Sequence, residues 1–343
     1  MLHLVFQYNL TEIFLINSGI IVVAILIDFI FGDPPVKIHP VVWMGKIISF
    51  LEKRLRSQNP SIEKLKGFVL VFLTITIFSF PIFMIFNLYF LLFYPFDILE
   101  LIIFVIISGS ILKISFAIKS LRNYTLPIAV ALKKGDINKA REYIPFIARR
   151  DPLNLDEEGL ISTATESIAE STADGVTSPL FYFAFFGVIG AIIFRVVNTL
   201  DSMVGYKDSD KINIGMASAR LDDILNFIPV RITFVFMILS SCFIRESPRN
   251  GLKIVMRDHS KVESPNAGWT MASMAGILSI QLKKDNYYKL GDPIHSLNPS
   301  HIEKALKIFY LTVFFFILSM LAFSTFIFLI ARLMSIWYFS LYI

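Results

Sequence analysis

The chain has 343 residues, of which 55% are hydrophobic, 34 are Phe and only 17% are charged, a composition that excludes an ordinary soluble fold and indicates an integral membrane protein. The formal net charge is +5, but the basic residues lie in loops between apolar runs, where the positive-inside bias places them, so nucleic acid is not predicted as a partner. The single cysteine, Cys242, excludes an internal disulfide and a cysteine-based metal cage, and its apolar surroundings are typical of a packed thiol.

Three apolar runs in the first third of the chain predict membrane helices, because each approaches or exceeds the roughly 20 residues that cross a hydrocarbon core. The first, 13–31, lacks a basic leader and a small-residue cleavage site, so it is interpreted as a retained helix and not as a secretory signal. The second and third are 67–94 and 98–118, joined at Pro95. Asp28, near the end of the first run, is either an interfacial carboxylate or a site residue.

A turn-rich loop follows the first run in the sequence FGDPPVKIHPVVWMG, because Gly and three Pro residues oppose a regular helix. It holds Asp33, His39 and Trp43 at the membrane edge. Trp43 is interpreted as an interfacial anchor, and His39 alone does not indicate a metal site. Residues 46–66 are basic and amphipathic, which predicts a segment lying on the membrane surface.

Two later apolar runs are short or interrupted: 181–197 contains two Gly residues, and 224–244 contains Pro229 and Arg231. Three loops rich in Lys and Arg are predicted to face the cytoplasm, at about 32–66, 119–178 and 245–304. The two runs must therefore both cross the membrane or both stay on the cytoplasmic side. We favour the second arrangement, because it keeps the polar segments together in one pocket, where non-helical backbone is tolerated.

A final apolar stretch, 305–331 with an extension toward 343, anchors the C-terminus. The predicted fold is thus an all-α integral membrane protein with about four to six membrane helices, re-entrant segments and cytoplasmic helical loops. It is expected to form a single polytopic domain, 1–343, in the lipid bilayer of the cell membrane, with its polar motifs on the cytoplasmic side.

An acidic stripe is the first of three polar elements. Glu166, Glu170 and Asp174 are spaced four apart, which places them along one helix face. Three carboxylates repel one another, so a cation is expected, and Mg²⁺ suits carboxylate oxygens completed by substrate phosphates. The alternative is an ordinary acidic face in contact with water.

The second polar element follows the run 181–197. Asn198 and Asp201 come directly after it, and Arg220, Asp222 and Asp223 lie further along the chain. Arg supplies a planar fork for phosphate or carboxylate, while Asp supplies metal ligation or general-base capacity. The alternative is a structural ion pair and helix cap.

The third polar element is RDHSKVESPNAGWTMASMAG, which begins at Arg257. Its pentapeptide SPNAG contains Ser264, Asn266 and Gly268 and favours a turn whose N–H groups can converge on an anion, although such loops are common. Walker A, GxGxxG, HExxH and GxSxG patterns are absent from the sequence.

In combination, these motifs resemble a known family. GDPPxxxHPVxxMG, RRDxxxLDxxG, ESIAESTADGVxSPLFY, NTLDSMVGYK, ARLDDxLNFIPVR and SPNAGW occur in this order and are similar to the membrane protein of cobalamin biosynthesis of the CbiB or CobD type, adenosylcobinamide-phosphate synthase. The resemblance covers about 28–290. The chain departs from the family pattern after SPNAGW, where Thr270, Met271 and QLKKDNYYKLG replace a Glu and a Gly-rich stretch, so we predict no catalytic role for that helix.

The resemblance implies a ligase that joins aminopropanol or ethanolamine, free or as the phosphate, to a propionate carboxylate of adenosylcobyric acid. It also implies that the reaction consumes ATP and requires Mg²⁺. Other membrane enzymes of the cobalamin pathway are candidate partners. The metal ligands are then predicted to be Glu166, Glu170 and Asp174. The predicted catalytic residues are Glu166, Asp201, Asp222 and Asp223, and the predicted substrate-binding residues are Asn198, Arg220, Arg257, Ser264, Asn266 and Gly268.

Two other classes of function compete with this interpretation. An ion-coupled transporter would use the acidic stripe as an intramembrane site, but no internal repeat is visible in the sequence. A membrane phosphotransferase is disfavoured, because the acidic residues lack the compact pair of DG-type motifs usual for transfer to a lipid alcohol.

Overall fold

The structure is a computed structural model that describes residues 10–35, 37–205, 210–284 and 286–340. Within these ranges the α-helices are α1 Leu10–Phe31, α2 Pro40–Leu55, α3 Pro60–Phe93, α4 Ile98–Lys113, α5 Ile118–Lys133, α6 Ile137–Arg141, α7 Glu157–Thr172, α8 Ser178–Val204, α9 Met216–Phe243, α10 Pro248–Asp258, α11 Ala267–Leu278 and α12 Ser300–Ser340. A π-helical turn, Ala173–Thr177, joins α7 to α8, and short 3-10 turns lie at Ile144–Phe146, Pro152–Asn154 and His259–Lys261.

Six stretches of helix in the described part of the chain are long and apolar enough to cross a membrane. They are Thr11–Phe31, Pro60–Phe93, Ile98–Lys133, Glu157–Val204, Met216–Phe243 and Ser300–Phe326. The described β-structure is one short antiparallel hairpin, β1 Leu282–Lys284 and β2 Tyr288–Leu290, with Lys283 opposite Lys289. The predicted all-α membrane fold is therefore confirmed, and the helices are those of a multi-pass membrane protein.

The chain divides into two compact units, each built from segments that are distant in sequence, and the single polytopic domain stays a prediction. The first unit contains Met1–Phe116, Pro179–Asp222 and Ile317–Ile343, and the second contains Ala117–Ser178 and Asp223–Phe316. Residues 1–9 and 341–343 of the first unit, and therefore the end of the predicted C-terminal anchor, lie outside the described ranges. So do Tyr206 and Lys207 of the NTLDSMVGYK motif.

In the first unit, α1 and α4 pack closely at Gly109. A Cβ atom at this position would lie 2.6 Å from Val23 Cγ1 and 2.9 Å from the carbonyl oxygen of Ile20. Only glycine lets the two backbones approach this closely, which is the usual way in which membrane helices associate.

The N-terminal loop is shorter than its Pro and Gly content predicts, because α2 already begins at Pro40. Proline is well tolerated at the first helical position, since the N–H that it lacks would have no helical acceptor there. His39 is the N-cap, and its Nδ1 accepts a hydrogen bond from the Val41 N–H at 3.2 Å. Burial lowers the pKa of His39 from its ordinary value, which favours this neutral acceptor.

The two doubtful apolar runs lie within long helices instead of short interrupted ones. The run 181–197 belongs to α8, where Gly187 adopts a non-helical backbone, φ 65° and ψ −159°, and the helix then resumes. The run 224–244 belongs to α9, which continues through Pro229. Glycine tolerates the positive φ at little cost, so the interruption is a single residue and both helices are long enough to cross.

In the second unit, α10 and α11 pack against each other through Gly251 and Gly276. A Cβ atom at Gly276 would lie 2.7 Å from Ile254 Cβ and 2.8 Å from the carbonyl oxygen of Asn250. The buried core at this contact includes Ile254, Val255 and Ala272. This pair of helices carries Arg257 and the SPNAG turn.

Candidate functional site

Glu166 lies on α7 in the second unit and is 4% exposed. Its carboxylate forms an ion pair with Arg150. It also accepts hydrogen bonds from Ser162 Oγ at 2.6 Å and from the Tyr288 hydroxyl at 2.7 Å. Donors on both oxygens hold this carboxylate in one orientation.

The turn before α7 and the β-hairpin bring the partners of Glu166 to it. Arg150 also donates to Thr163 Oγ1 at 2.9 Å, and the N–H of Lys283 donates to Ser162 Oγ at 3.0 Å, so both segments are tied to α7. Burial and the charge of Glu166 raise the pKa of Tyr288. Tyr288 is therefore a neutral donor at physiological pH.

The other two residues of the acidic stripe lie in different environments. Glu170 is exposed, and Asp174 is half-buried in the π-helical turn. Throughout the ranges that the structure describes, no group of three His, Cys, Asp or Glu side chains is arranged to hold a metal ion. The metal-binding role of Glu166, Glu170 and Asp174 thus stays a prediction.

The SPNAG turn is ordered by its own side chains. Ser264 Oγ accepts hydrogen bonds from the N–H groups of Asn266 and Ala267, both at 3.3 Å. Asn266 is 4% exposed, and its Nδ2 donates to the carbonyl oxygen of Asp223 at 2.9 Å. Two predicted site residues, Asn266 and Asp223, are thereby brought together in the second unit.

Gly268 has a packing role that its sequence context does not reveal. A Cβ atom there would lie 1.9 Å from the carbonyl oxygen of His259, far inside any allowed contact. Glycine is therefore required for α11 to begin against the 3-10 turn His259–Lys261. Its predicted contact with substrate stays a prediction.

Within the first unit, the structure brings Asn198 and Asp222 together. Asn198 Nδ2 lies 3.4 Å from Asp222 Oδ1, and Arg195 Nη1 lies 3.5 Å from Asn198 Oδ1. Asp222 is 8% exposed, whereas Asp201 is half-buried at the end of α8. A buried carboxylate facing an amide donor can hold a substrate group or accept a proton.

Arg220 and Arg257 differ in how far they are already paired. Arg220 is exposed on α9. Arg257 donates to both oxygens of Asp258, at 2.7 and 2.8 Å, and to Asp292 at 3.1 Å. Of the two, Arg220 is the better placed to bind a substrate anion, because the guanidinium group of Arg257 is already bonded to carboxylates.

Asp258 is a structural centre that the sequence reasoning missed. Its side chain is fully buried and also pairs with Lys261 and accepts from the Gly291 N–H at 2.8 Å. Burial alone would raise its pKa, but the hydrogen bonds from Arg257, Lys261 and Gly291 lower the pKa of Asp258 to about 2. The alternation of acidic and basic residues in RDHSK was the only signal for this network.

A second missed network lies in the first unit at the ends of α1 and α4. Lys113 Nζ is 2.9 Å from Asp28 Oδ1 and 2.7 Å from Asp33 Oδ1. Asp28 is 2% exposed and Lys113 is 6% exposed. Asp28 is therefore buried and paired, as charged residues within membrane helices usually are.

Comparisons with known proteins agree with the motif pattern. A family model described as CobD/Cbib protein matches residues 21–309. The cobalamin biosynthesis protein CobD of Dehalococcoides mccartyi (strain CBDB1) is 41% identical over 287 residues, which cover 84% of this chain and 91% of that protein. The probable cobalamin biosynthesis protein CobD of Methanothermobacter thermautotrophicus is 38% identical over 301 residues, 88% of this chain and 96% of that protein.

The cobalamin biosynthesis protein CobD of Clostridium tetani is 37% identical over 306 residues, with 84% of this chain and 92% of that protein covered. No solved structure matches the chain significantly. The family match spans far more than half of the sequence, and each of these relatives is covered almost completely. The chain therefore belongs to the CobD/Cbib protein family.

Proposed function

We propose that this chain is a membrane enzyme of cobalamin biosynthesis that forms an amide bond with consumption of ATP. Its substrates are adenosylcobyric acid and an amino alcohol, aminopropanol or ethanolamine, free or as the phosphate. The observation that carries the proposal is membership of the CobD/Cbib family, together with relatives that are named for cobalamin biosynthesis. The products are adenosylcobinamide or its phosphate.

The chemistry needs an activated carboxylate, because a free carboxylate is a poor electrophile. Transfer of the terminal phosphoryl group of ATP to the corrinoid carboxylate gives an acyl phosphate and ADP. The amine then attacks the acyl carbon, inorganic phosphate leaves, and a base accepts the proton that the amine loses. Positive groups aimed at the transferring phosphoryl oxygens would supply most of the catalysis.

Several of the predicted residues suit these tasks. Arg220 is the candidate for a phosphate or carboxylate group, because it is exposed and no carboxylate oxygen within the described ranges lies within salt-bridge distance of it. Asp222 is a candidate base, since it is nearly buried and held by Asn198, and Asp201 and Asp223 are the other candidates. Arg257, Ser264, Asn266 and Gly268 are proposed to contact substrate.

Magnesium would enter with ATP, and carboxylate oxygens are ligands that suit such an ion. Mg²⁺ bound to a nucleotide usually takes one or two protein carboxylates and completes its shell with phosphate oxygens and water. Glu170 is exposed and Asp174 is half-buried, so these two are the proposed ligands, with Glu166 a third. The ion would neutralise phosphate charge during phosphoryl transfer.

The proposed site faces the cytoplasm, where ATP is available, and the chain lies in the cell membrane. The support is the excess of Lys and Arg in the loops that flank the apolar helices. Other membrane enzymes of the pathway are proposed as partners.

The assay uses protein purified in detergent, adenosylcobyric acid, ATP and Mg²⁺, with four donors in parallel: aminopropanol, ethanolamine and the phosphate of each. We expect one donor to give a corrinoid amide together with stoichiometric ADP, detected by mass spectrometry. Absence of product with all four donors would remove the ligase assignment. Accumulation of a solute in proteoliposomes without any product would instead support the ion-coupled transporter.

A further inference from the structure

Arg231 lies within α9, one of the helices that are apolar enough to cross a membrane, and its guanidinium is placed between two aromatic rings. Its Cζ is 3.6 Å from the ring centroid of Phe227 and 4.9 Å from that of Trp269. Arg stacks on aromatic faces readily. The side chain is thus fixed in position, which limits the entropy that it loses when it binds a ligand.

The charge of Arg231 is not neutralised by the described residues. Across these ranges no carboxylate oxygen lies within 4 Å of its nitrogens. Within the described ranges, its Nη1 donates hydrogen bonds to the Phe227 carbonyl oxygen at 2.6 Å and to Asn266 Oδ1 at 3.3 Å, and its other nitrogens donate none. A cation in an apolar helix normally has a counter-ion or a function.

A second donor beside Arg231 also lacks an acceptor. The indole Nε1 of Trp269 is buried, and none of the described residues accepts a hydrogen bond from it. A buried donor without a partner is rare in native proteins and calls for a ligand or water. The acceptor oxygen of Asn266, Oδ1, already takes a hydrogen bond from Arg231, and its Nδ2 is a donor that cannot accept one from the indole.

We propose that Arg231 and Trp269 form a binding site for an oxyanion, the phosphate or carboxylate group of a substrate. Arg presents a planar fork that matches both groups, and the indole N–H adds a neutral donor. Asn266 then acts as a positioning residue, because it accepts from Arg231 and orients the fork. This inference rests on the proposed function, whose substrates include phosphate and carboxylate groups.

A purely structural role for Arg231 is the competing explanation. In that case Arg231 would only hold the SPNAG turn to α9 through Asn266, and its removal would lower stability without changing anion affinity. The two roles separate in a binding measurement that does not depend on turnover.

Trp269 provides the probe for this measurement. In a Trp43→Phe, Trp337→Phe background, Trp269 is the remaining tryptophan of the three. The purified protein is titrated with sodium phosphate, and separately with sodium acetate, at constant ionic strength held with sodium chloride. We expect a saturable fluorescence change with phosphate, acetate or both, and the anion that binds more tightly identifies a phosphate or a carboxylate site.

Arg231→Gln is expected to weaken the Kd by about tenfold or more, because a charge-assisted hydrogen bond is lost. Arg231→Lys should give an intermediate Kd, since Lys keeps the charge without the fork. Arg249→Gln is the matched control: Arg249 is exposed, the same charge is removed, and the Kd should equal that of the parent. Thermal unfolding of each variant reports folding independently.

Absence of a saturable response to either anion in the parent would overturn the proposal, and so would an unchanged Kd in Arg231→Gln. If amide forms in the enzymatic assay but the parent binds no anion, or Arg231→Gln leaves the Kd unchanged, the anion site is refuted and the proposed function stands. If the parent binds an anion saturably and Arg231→Gln weakens the binding, but no amide forms, the anion site stands and the proposed function is refuted.

Discussion

At Glu166, one carboxylate receives donors from three side chains, Arg150, Ser162 and Tyr288. The i, i+4 spacing of the acidic residues drew attention to Glu166, but it could not indicate which side chains surround it. Arg150 provides the ion pair, and it lies in the turn before α7, outside the helix whose spacing defines the stripe. Sequence spacing describes one helix face and is silent on what other segments bring to it.

Glu166→Gln and Asp174→Asn are both expected to reduce turnover by about 100-fold or more, if these acidic residues hold charge during phosphoryl transfer. Their effects on stability should differ. Glu166→Gln leaves Arg150 without its counter-ion and is expected to cost about 3 kcal/mol, whereas Asp174 is half-buried and its replacement should cost less than about 1 kcal/mol. Turnover and thermal unfolding of both variants in detergent are the measurements.

Near-normal turnover in both variants would contradict a role in the site and return the stripe to an acidic face in contact with water. The Mg²⁺ dependence of the remaining activity is informative as well. A shift of this dependence to higher Mg²⁺ in Asp174→Asn alone would support metal ligation by Asp174 and a positioning role for Glu166.

Among the elements, the junction of α7 and α8 departs from regular helix for a local reason. Pro179 has no N–H, so it cannot donate to the carbonyl of Gly175. That carbonyl instead accepts from the Ala117 N–H at 3.4 Å. A π turn adds a residue to one helical turn, so the regular acidic stripe ends at Glu170, and Asp174 lies on the altered turn. Pro179 was visible in the sequence, but the rotation of Asp174 was not.

The apolar runs predicted the helices well, because length and composition suffice for this. The interruption expected in the run 181–197 is present at Gly187, whose backbone is non-helical, whereas α9 continues through Pro229. In lipid, unsatisfied backbone groups are so costly that helices continue through residues that would end them in water. The hairpin β1–β2 was missed, since its strands have three residues each, too few for a periodic pattern.

The contact between α10 and α11 provides a test at this scale. Gly276→Ala places a methyl group 2.7 Å from Ile254 Cβ and 2.8 Å from Gly251 Cα, so the helices must separate. We expect a loss of about 2 kcal/mol in stability, within the usual cost of overpacking. Chemical denaturation monitored by circular dichroism measures it.

Gly45→Ala is the matched control, since this glycine also lies within a helix. Its added methyl group meets only the end of the Met203 side chain, at 3.2 Å from Sδ, and that side chain is flexible. Helix propensity favours alanine, so this variant should be neutral or slightly more stable. An equal loss in both variants would mean that the close approach at Gly276 is not what requires glycine.

For the molecule as a whole, composition and motif order were enough to predict a polytopic membrane protein of this family. They could not predict that the chain divides into two compact units, or that the boundary between the units falls inside the ARLDD motif, between Asp222 and Asp223. Adjacent residues with the same side chain are therefore assigned to different units. A single sequence contains no information on such non-local packing unless a contact leaves a periodic pattern.

The membrane topology of α8 and α9 decides on which side the residues between them lie. The uncharged part of α8, 178–194, is at the lower limit of a simple span and contains the Gly187 break, while α9 contains Arg231. We therefore predict that both helices return to the cytoplasmic side, as the parity of the basic loops allows. Position 212, in the connection between them, is 50% exposed and should then be protected from external reagents.

Single cysteines in a Cys242→Ala background test this topology with a membrane-impermeant maleimide on intact bacterial cells. Ile212→Cys should react only after the membrane is permeabilised. Leu153→Cys, 75% exposed in a loop expected to be cytoplasmic, should behave in the same way, and Tyr94→Cys, 43% exposed in the opposite turn, should react from outside.

Reaction of Ile212→Cys in intact cells would show that both helices cross the membrane, because the basic loops on either side still require an even number of crossings. Asp201, close to this connection at the end of α8, would then lie on the outer face, away from the ATP supply, and its proposed role as a base would have to be abandoned.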